Sequence, residues 1–365
     1  MSLPYAIEPF RIGMMQDWGT GIESVVDGHD ATRLAFEEAH QSGLIERPVE
    51  FDVFNYDGPP FGLTDTVIDR WRDYVAAKRP IAMIGPRQTD NAIQARKAVE
   101  QLQIPTISDC GTLLFPDRYC FCLPNGTFCD EAVIMVDYLK RQGCRSFALV
   151  AEDNPIGEEY ARFVRPAARR AGLTIRADRT LAPIMSEAEV VETYEGVKRS
   201  GAEGLMYVGF GAAACRFFKA VRADGYDRPR VTMSIFMATA SGIGEKYGFD
   251  MPGDFEGWAG IDQYDERNEH FVSFLERFEK RFGRRPVHCY APLAYDTGRV
   301  LAEALAMAKP LSRDGLRDAL ERVRMLPAAT GSPGTHISFA PYEHRGFKGP
   351  YIVLRQIRGG RNVPV

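Results

Sequence analysis

Residues 81–112 read IAMIGPRQTDNAIQARKAVEQLQIPTISDCGT, and this stretch contains the repeating unit that decides the fold. The apolar run 81–84 is typical of a buried strand, and the amphipathic stretch 91–102 is typical of a helix. A second short apolar run, 105–108, predicts another buried strand. A strand, a helix and a strand in this order form the unit of a parallel sheet that helices cover on both faces.

The same alternation extends outward from this stretch in both directions. Toward the N-terminus it predicts strands at 10–15 and 50–55 and helices at 25–42 and 64–78. After residue 129 the pattern restarts, with helices at 130–142, 157–171, 186–200 and 212–223 and strands at 146–150, 173–179, 204–208 and 230–234. Beyond 256 we expect strands at 256–263, 335–339 and 351–357 and helices at 268–282, 291–307 and 312–323. Two doubly wound units in tandem follow from this order.

Length and composition are those of an ordinary globular protein with two domains. The chain has 365 residues, of which 45% are hydrophobic and 26% are charged, with a formal net charge of −4. Lys and Arg are interspersed with Asp and Glu, so we expect no nucleic-acid partner. No apolar run is long enough to span a membrane. The first residues, MSLPYA, have neither the basic nor the apolar region of a signal peptide. The protein is then either cytoplasmic, or periplasmic with its signal peptide removed.

Seven cysteines leave at least one thiol unpaired within a single chain. Three of them, Cys120, Cys122 and Cys129, have C-x-C-x6-C spacing, which is not the spacing of a zinc site. We therefore expect no metal, and interpret the cysteines as buried, reduced, small apolar residues.

Four motifs, in this order along the chain, resemble those of a known family. IAMIGPRQT (81–89) is similar to a strand that ends in Gly-Pro with a hydroxyl residue four positions after the glycine. IPTISDCGT (104–112), EDNPIGEEY (152–160) and YDTGRVLAEA (295–304) are similar to later elements of the same family. The chain resembles the branched-chain amino-acid-binding receptors of ABC importers, within the type I periplasmic binding protein superfamily.

The resemblance implies an α/β fold of two doubly wound parallel-sheet lobes joined by a three-crossover hinge. We expect lobe one to comprise 1–121 and 263–330, and lobe two to comprise 122–262 and 331–365. Ligand would bind in the cleft between the lobes, at the carboxyl ends of the strands, and a hinge motion would close it.

Carried over residue by residue, the resemblance also implies a ligand site. Thr89 and Thr112 would donate hydroxyl hydrogen bonds to a ligand carboxylate, and backbone N–H groups near Cys110 and Gly111 would complete the cradle. The alternative for Thr89 is that its hydroxyl only caps the helix that follows.

The sequence departs from the amino-acid receptors where they hold the ligand ammonium. Phe236 stands at about the position, after the strand 230–234, where the family has an acidic residue. Phe210 and Ile156 stand where the family usually has other ligand contacts. A buried ammonium without a carboxylate is costly, which disfavours an α-amino acid as ligand. Trp18, Phe210 and Phe236 would instead line the apolar part of the site. Core packing is the alternative for the two phenylalanines.

Rival functions are poorly supported by the motifs. GFGAAA (209–214) matches a dinucleotide-binding pattern, but it lies late in the chain and no acidic residue ends the following strand, so we expect no cofactor. No nucleophile elbow and no HExxH helix is present, and the six histidines are scattered, so we expect no enzyme.

The sequence therefore predicts the solute-binding component of an ABC importer. Its ligand would be a small carboxylate, apolar or aromatic rather than an α-amino acid, and its protein partners would be the transmembrane subunits of a permease. We expect a monomer that is periplasmic if a signal peptide has been removed. Two alternatives stay open: a cytoplasmic ligand sensor of the same fold that regulates a partner protein, and a branched-chain amino-acid receptor.

Overall fold

The fold was taken from a computed structural model, which describes residues 8–17, 25–58, 63–124, 126–234, 236, 248–250, 253–286 and 290–365. The chain divides into two compact units. The first unit comprises Met1–Cys110, Leu114–Pro124 and Tyr264–Tyr351, and the second comprises Gly111–Leu113, Asn125–Gln263 and Ile352–Val365. Across the described ranges the helices are each too short or too polar to span a bilayer.

The helices and strands follow the predicted alternation. The helices are α1 (Val26–Gln41), α2 (Thr64–Lys78), α3 (Thr89–Leu102), α4 (Phe128–Arg141), α5 (Pro155–Ala171), α6 (Glu187–Arg199), α7 (Ala212–Ala223), α8 (Glu269–Phe282), α9 (Ala291–Met307) and α10 (Arg313–Leu320). The strands are β1 (Phe10–Gln16), β2 (Val49–Asn55), β3 (Ala82–Ile84), β4 (Thr106–Ser108), β5 (Cys120–Cys122), β6 (Ser146–Glu152), β7 (Thr174–Leu181), β8 (Gly204–Val208), β9 (Arg230–Thr232), β10 (Trp258–Asp262), β11 (Leu326–Pro327), β12 (His336–Ile337), β13 (Phe347–Lys348), β14 (Val353–Arg358) and β15 (Arg361–Pro364).

The first unit contains a five-stranded parallel sheet in the order β2-β1-β3-β4-β5. The order reverses between β1 and β3, so helices that follow neighbouring strands cover opposite faces. Trp71 of α2 is fully buried on one side, in a cluster with Met83 and Val99. On the other side α1 packs against α8 and α9 through Leu34 and Phe274. The carboxyl ends of these strands share one edge, called here the first carboxyl edge.

The second unit contains a seven-stranded sheet in the order β15-β14-β10-β9-β8-β6-β7. Strands β6 to β10 are parallel, and β14 and β15 are added antiparallel. The order reverses between β6 and β8, as it does between β1 and β3 in the first unit. Fully buried aromatic side chains dominate the core of this unit: Phe147, Phe217, Phe218 and Trp258. The carboxyl ends of β6 to β10 form the second carboxyl edge.

The α/β class and the two doubly wound sheets are confirmed, whereas the compact units depart from the predicted lobe bounds. Gly111–Leu113, expected in lobe one, belong to the second unit, and 122–124, expected in lobe two, belong to the first. Residues 331–351, expected in lobe two, belong to the first unit. The physical reason is local packing: β12 pairs with β11 on one side and with β13 on the other, and Phe121 of β5 stacks on His344 and meets Phe339 edge-on. The division into ligand-closing lobes stays a prediction.

Asn268 fixes the start of α8 inside the first unit. Its Oδ1 accepts a hydrogen bond from the backbone N–H of His270 at 3.1 Å, as a helix cap does. Its Nδ2 also donates to the backbone oxygens of Ala328 at 3.1 Å and Gly331 at 3.0 Å. One buried amide therefore satisfies a helix terminus and a loop at once.

Replacement of this amide tests how much the loop contacts contribute. We expect Asn268→Ala to lower the free energy of unfolding by roughly 2–4 kcal/mol, because it removes a cap and leaves buried carbonyl oxygens without a donor. Ser312→Ala is the matched control, since Ser312 caps α10 through Gly315 alone and should cost about 1 kcal/mol. Equal losses in urea unfolding would show that the loop contacts contribute nothing.

Candidate functional site at the carboxyl edges of the sheets

A buried carboxylate, Asp17, organises the first carboxyl edge. Asp17 follows β1 directly, at the point where the strand order reverses. It accepts hydrogen bonds from the backbone N–H groups of Arg87 at 2.8 Å and Gln88 at 3.1 Å, and from Nδ2 of Asn91 at 2.7 Å. These donors lie at the N-terminus of α3, where partial positive charge favours an anion. Burial nevertheless raises the pKa of Asp17 to about 6.

The same edge holds a buried ion pair between Arg87 and Asp109. Arg87 donates from Nε at 2.9 Å and from Nη2 at 2.5 Å to Oδ2 of Asp109, and its Nη1 donates to Oε1 of Gln16 at 3.1 Å. The guanidinium also lies 5.1 Å from the ring centroid of Tyr290. The two charged side chains are only 4% and 10% exposed, so the pair is close to neutral and largely desolvated.

Five buried polar atoms at the first carboxyl edge have no hydrogen-bond partner among the described residues. They are His29 Nε2, Gln88 Nε2, Asp90 Oδ1, Asn91 Oδ1 and Asp109 Oδ1. Burial, with Arg87 as a second cause, lowers the pKa of His29 to about 4, so its ring is neutral near pH 7. Buried polar atoms in native proteins are nearly always paired, so a group of unpaired atoms at one place makes this edge a candidate ligand site.

Glu152 occupies the equivalent position on the second carboxyl edge, at the end of β6. Its Oε1 accepts hydrogen bonds from the hydroxyl of Tyr207 at 2.5 Å and the N–H of Gly211 at 2.8 Å. Its Oε2 accepts one from Nδ2 of Asn154 at 2.7 Å. Burial raises the pKa of this carboxyl. A Cβ on Gly209 would lie 2.4 Å from Cγ of Glu152, so the glycines of the GFGAAA motif make room for this carboxylate.

A second acid, Glu131, lies in the first turn of α4 on the same edge. Its Oε2 accepts hydrogen bonds from the hydroxyl of Tyr160 at 2.6 Å and from the N–H of Ser234, after β9, at 3.3 Å. Its Oε1 is buried and has no hydrogen-bond partner among the described residues. Burial raises the pKa of Glu131 to about 8. Glu131 thereby joins α4, α5 and the end of β9.

The residues predicted as a carboxylate cradle are divided between the two units, with Thr89 and Cys110 in the first and Gly111 and Thr112 in the second. The Thr112 hydroxyl donates to Glu159 at 2.6 Å, and the backbone N–H of Cys110 donates to Oγ of Ser108 at 3.2 Å. Gly111 lies against Gly126 and Phe128, where a Cβ would collide with both. Each of these groups therefore contacts residues of its own unit.

The hydroxyl of Thr89 makes neither of the two contacts that were expected of it. It is the first residue of α3, is buried, and its hydroxyl has no hydrogen bond to any residue that the structure describes. Capping by its side chain, the alternative interpretation, is not observed. The helix terminus is instead satisfied by Asp17, whose carboxylate accepts from the backbone N–H groups of Arg87 and Gln88.

The aromatic residues predicted to line the site lie in different environments. Phe236 is 0% exposed and packs in the core of the second unit beside Phe255 and Gly260, as the core-packing alternative expects. Phe210 is half-buried at the second carboxyl edge, next to that core, and can still contact a ligand. Trp18 lies outside the described residues.

Sequence reasoning missed four charged residues that organise the edges: Asp17, Arg87, Glu131 and Glu152. The available signal was a charged residue directly after an apolar strand, as in MMQD (14–17) and LVAE (149–152). Over the described part of the chain, no group of His, Cys, Asp and Glu side chains could hold a metal ion.

Removing one partner of the buried ion pair tests its role. We expect Asp109→Asn to lower the free energy of unfolding by about 3–5 kcal/mol, because Arg87 is left as an uncompensated buried charge. Asp178→Asn is the control, since Asp178 pairs with Arg165 at 38% and 48% exposure and should cost about 1 kcal/mol or less. Chemical denaturation of both variants gives the comparison, and a small loss for Asp109→Asn would contradict a desolvated pair.

The raised pKa of Glu131 predicts a specific pH dependence. In the unfolded chain a glutamate loses its proton near pH 4.5, whereas folded Glu131 keeps it until about pH 8. The folded state then binds more protons, so the free energy of unfolding falls as pH rises between these values, by up to about 1.4 kcal/mol per pH unit. Glu131→Gln should remove this slope and gain stability over the wild type toward pH 8. Parallel pH–stability curves for the two proteins would show that Glu131 titrates normally.

Comparison with known proteins places the whole chain in one family. The sequence model described as "Periplasmic binding protein" matches residues 9–361. A search of curated proteins gave no match. Among solved structures, the fold is similar to that of an ABC transporter substrate-binding protein from Desulfitobacterium hafniense in complex with Leu, at 18% identity over 98% of this chain and 100% of that chain, with a TM-score of 0.78.

Two further structures resemble the chain over almost its full length. One is the branched-chain amino acid transporter substrate-binding protein of Streptococcus pneumoniae in complex with isoleucine, at 18% identity over 97% of this chain and 98% of that chain, with a TM-score of 0.78. The other is an ABC transporter solute-binding protein from R. palustris in complex with benzoate, at 16% identity over 98% and 96%, with a TM-score of 0.75. With a family match that spans nearly every residue and two sheets that reverse their strand order in the same way, this chain belongs to the periplasmic binding protein family, a family of binding proteins rather than enzymes.

Proposed function

We propose that this chain is the solute-binding component of an ABC importer, which captures a small organic molecule outside the cytoplasm and delivers it to the transmembrane subunits of a permease. The family match supports a binding function. The similar structures in complex with leucine, isoleucine and benzoate support a small organic ligand.

The unpartnered polar atoms of the first carboxyl edge carry this proposal. Ligands of open α/β sheets bind outside the carboxyl ends of the strands, at the point where the strand order reverses. Asp17, Arg87, Gln88 and Asn91 lie at that point in the first unit. An unpaired buried polar atom lowers the stability of the folded state by about 1–3 kcal/mol. Five such atoms therefore destabilise the first unit unless a ligand forms hydrogen bonds with them.

The chemistry of these atoms favours a ligand that brings hydrogen-bond donors. Oδ1 of Asp90, Asn91 and Asp109 can only accept, whereas Nε2 of Gln88 can only donate. The expected small carboxylate would add a further acceptor beside Asp17. The preference for an apolar or aromatic acid is weakened, because Phe236 is in the core. Of the predicted aromatic lining, Phe210 remains at the second carboxyl edge, and Trp18 lies outside the described residues. A solute with N–H or O–H donors, such as the amino acid of the receptor alternative, fits the acceptors better.

Gln88→Met tests whether the unpartnered polar atoms of the first carboxyl edge bind a ligand. Methionine keeps the side-chain length but removes the unpartnered amide, so the free energy of unfolding without ligand should stay unchanged or rise by up to roughly 2 kcal/mol. In a thermal-shift screen against amino acids, amides, amines and aromatic and short-chain acids, the compounds that raise the wild-type Tm should raise that of the variant by less.

Gln101→Met is the control, because Gln101 is exposed on the same helix, α3. It should leave both the stability and the ligand-induced shift unchanged. An undiminished shift for Gln88→Met would remove Gln88 from the site, and a wild-type protein that responds to no compound would contradict a small-solute receptor of these classes.

A further inference from the structure

The thiols of the described cysteines fall into two groups by what they contact. Four of them donate from Sγ to an oxygen atom: Cys120 to Glu100, Cys129 to Thr127, Cys144 to Glu203 and Cys215 to Ala212. Cys110 and Cys122 contact each other instead, with 4.0 Å between the two Sγ atoms. Two sulfur atoms this close, in a single unit, are the arrangement from which a disulfide can form.

A turn at the end of β4 brings these two thiols together. Strands β4 and β5 pair in parallel, with Ser108 opposite Cys122. The hydroxyl oxygen of Ser108 accepts a hydrogen bond from the backbone N–H of Cys110 at 3.2 Å, which turns the chain just beyond the strand end. Neighbouring strands lie about 4.8 Å apart, and a disulfide spans about 4.4–6.8 Å between Cα atoms. Adjacent strand ends are therefore a suitable place for one.

Cys122 is the fixed member of the pair, and Cys110 is the adjustable one. The backbone of Cys122 donates to the oxygen of His344 and accepts from the N–H of Gly346, both at 2.8 Å. Cys110 lies in the loop after β4, so its side chain can turn until the sulfur atoms reach the bonding distance of about 2 Å. Both cysteines are buried, at 3% and 1% exposure, which would shield a bond between them from reductants.

The pair also lies beside two points at which the chain leaves the first unit. Cys110 is the last residue before Gly111–Leu113, and Cys122 comes two residues before Pro124, after which the chain enters the second unit again. A bond between the two cysteines would hold both points together within the first unit. It would close a short loop, because its ends are twelve positions apart in the sequence.

We propose that Cys110 and Cys122 form a structural disulfide while the chain folds in an oxidising compartment. The oxidant is another disulfide, supplied in the cell by a thiol–disulfide oxidoreductase. One cysteine attacks this disulfide as a thiolate and displaces one of its sulfurs, and the second cysteine attacks the mixed disulfide and displaces the other. Two thiols of the chain are oxidised to one disulfide, and the oxidant takes up two electrons and two protons and becomes two thiols.

Burial decides when this bond can form. In the folded protein burial raises the pKa of the Cys122 thiol well above its usual range, so the attacking thiolate is scarce. In the unfolded chain both thiols are accessible, and outside the cytoplasm they meet an oxidant. The bond would form with or without a ligand, and it is therefore independent of the proposed solute binding.

Refolding under two redox conditions tests the pair. Denatured, reduced protein is refolded with glutathione disulfide or with dithiothreitol, and the remaining thiols are trapped with N-ethylmaleimide in acidic denaturant. We expect the reduced sample to carry an adduct on each of the seven cysteines and the oxidised sample to carry two fewer. Trypsin cuts after Arg118, between the two cysteines, so recovery of peptides 98–118 and 119–140 as one linked species identifies the bond, and fragmentation of that species assigns the cysteines.

Cys120→Ser is the matched control for Cys122→Ser, because both residues are buried in β5 and lie two positions apart, on the same face of the strand. Cys122→Ser should abolish the link, and Cys120→Ser should preserve it. In urea, the folded-to-unfolded ratio of the wild type should be on the order of a hundredfold higher in the oxidised than in the reduced form, because the bond closes a loop in the unfolded chain. Cys122→Ser should lose this redox dependence.

Other results overturn the proposal. If the wild type refolded with glutathione disulfide carries all seven adducts, or if its link runs through Cys120 or Cys129, Cys110 and Cys122 are not a disulfide pair. If the linked wild type is no more stable than the reduced one, the fold does not accommodate the bond. These measurements use the wild type, so a variant that fails to fold does not leave the pairing undecided, and none of them bears on solute binding.

Discussion

Each sheet depends on one buried carboxylate at the end of its first strand. Asp17 after β1 and Glu152 at the end of β6 both accept backbone N–H groups from the loop that follows the next strand in the sheet, and both accept an asparagine amide, from Asn91 and Asn154. Each carboxylate lies where the strand order reverses and accepts hydrogen bonds from N–H groups there. Without it, the crevice at this point would contain unsatisfied N–H groups of the helix N-terminus. The same solution occurs in both units, although the surrounding sequences share no visible repeat.

This constraint explains residues that otherwise look like parts of unrelated motifs. Gly209 and Gly211 match a dinucleotide pattern, yet their lack of side chains accommodates Glu152. The NAD-like spacing thus reflects an internal carboxylate in the position where a phosphate would be expected in a cofactor enzyme. Burying such acids raises the pKa of each, and the hydrogen bonds that they accept partly offset that effect.

The periodicity of the sequence predicted most of the fold because each strand and helix buries one of its own faces. The bounds of α2, α7, α9 and β8 are those predicted. Strands β5, β11, β13 and β15 were missed, because two to four residues give no measurable period, and β5 contains the cysteines that were assessed as metal ligands. The hydroxyls of Thr89 and Thr112 and the ring of Phe236 were assigned by position in the chain. The surroundings of Thr112 and Phe236 depend on Glu159 and Phe255, and the N-terminus of α3 depends on Asp17. These partners are distant in sequence, and no local pattern identifies them.

The cysteines have a consequence for how this protein can be studied. Burial raises the pKa of the Cys120 and Cys122 thiols, so neither forms the thiolate that alkylating reagents attack. Cys129 and Cys215 are the half-buried thiols of the described chain, and Cys129 lies two residues before Glu131 in the first turn of α4. Among the described cysteines, a maleimide fluorophore would therefore react at the half-buried positions first. With Cys215 replaced by serine, a dye on Cys129 would lie beside the second carboxyl edge, where its fluorescence would report changes at that edge.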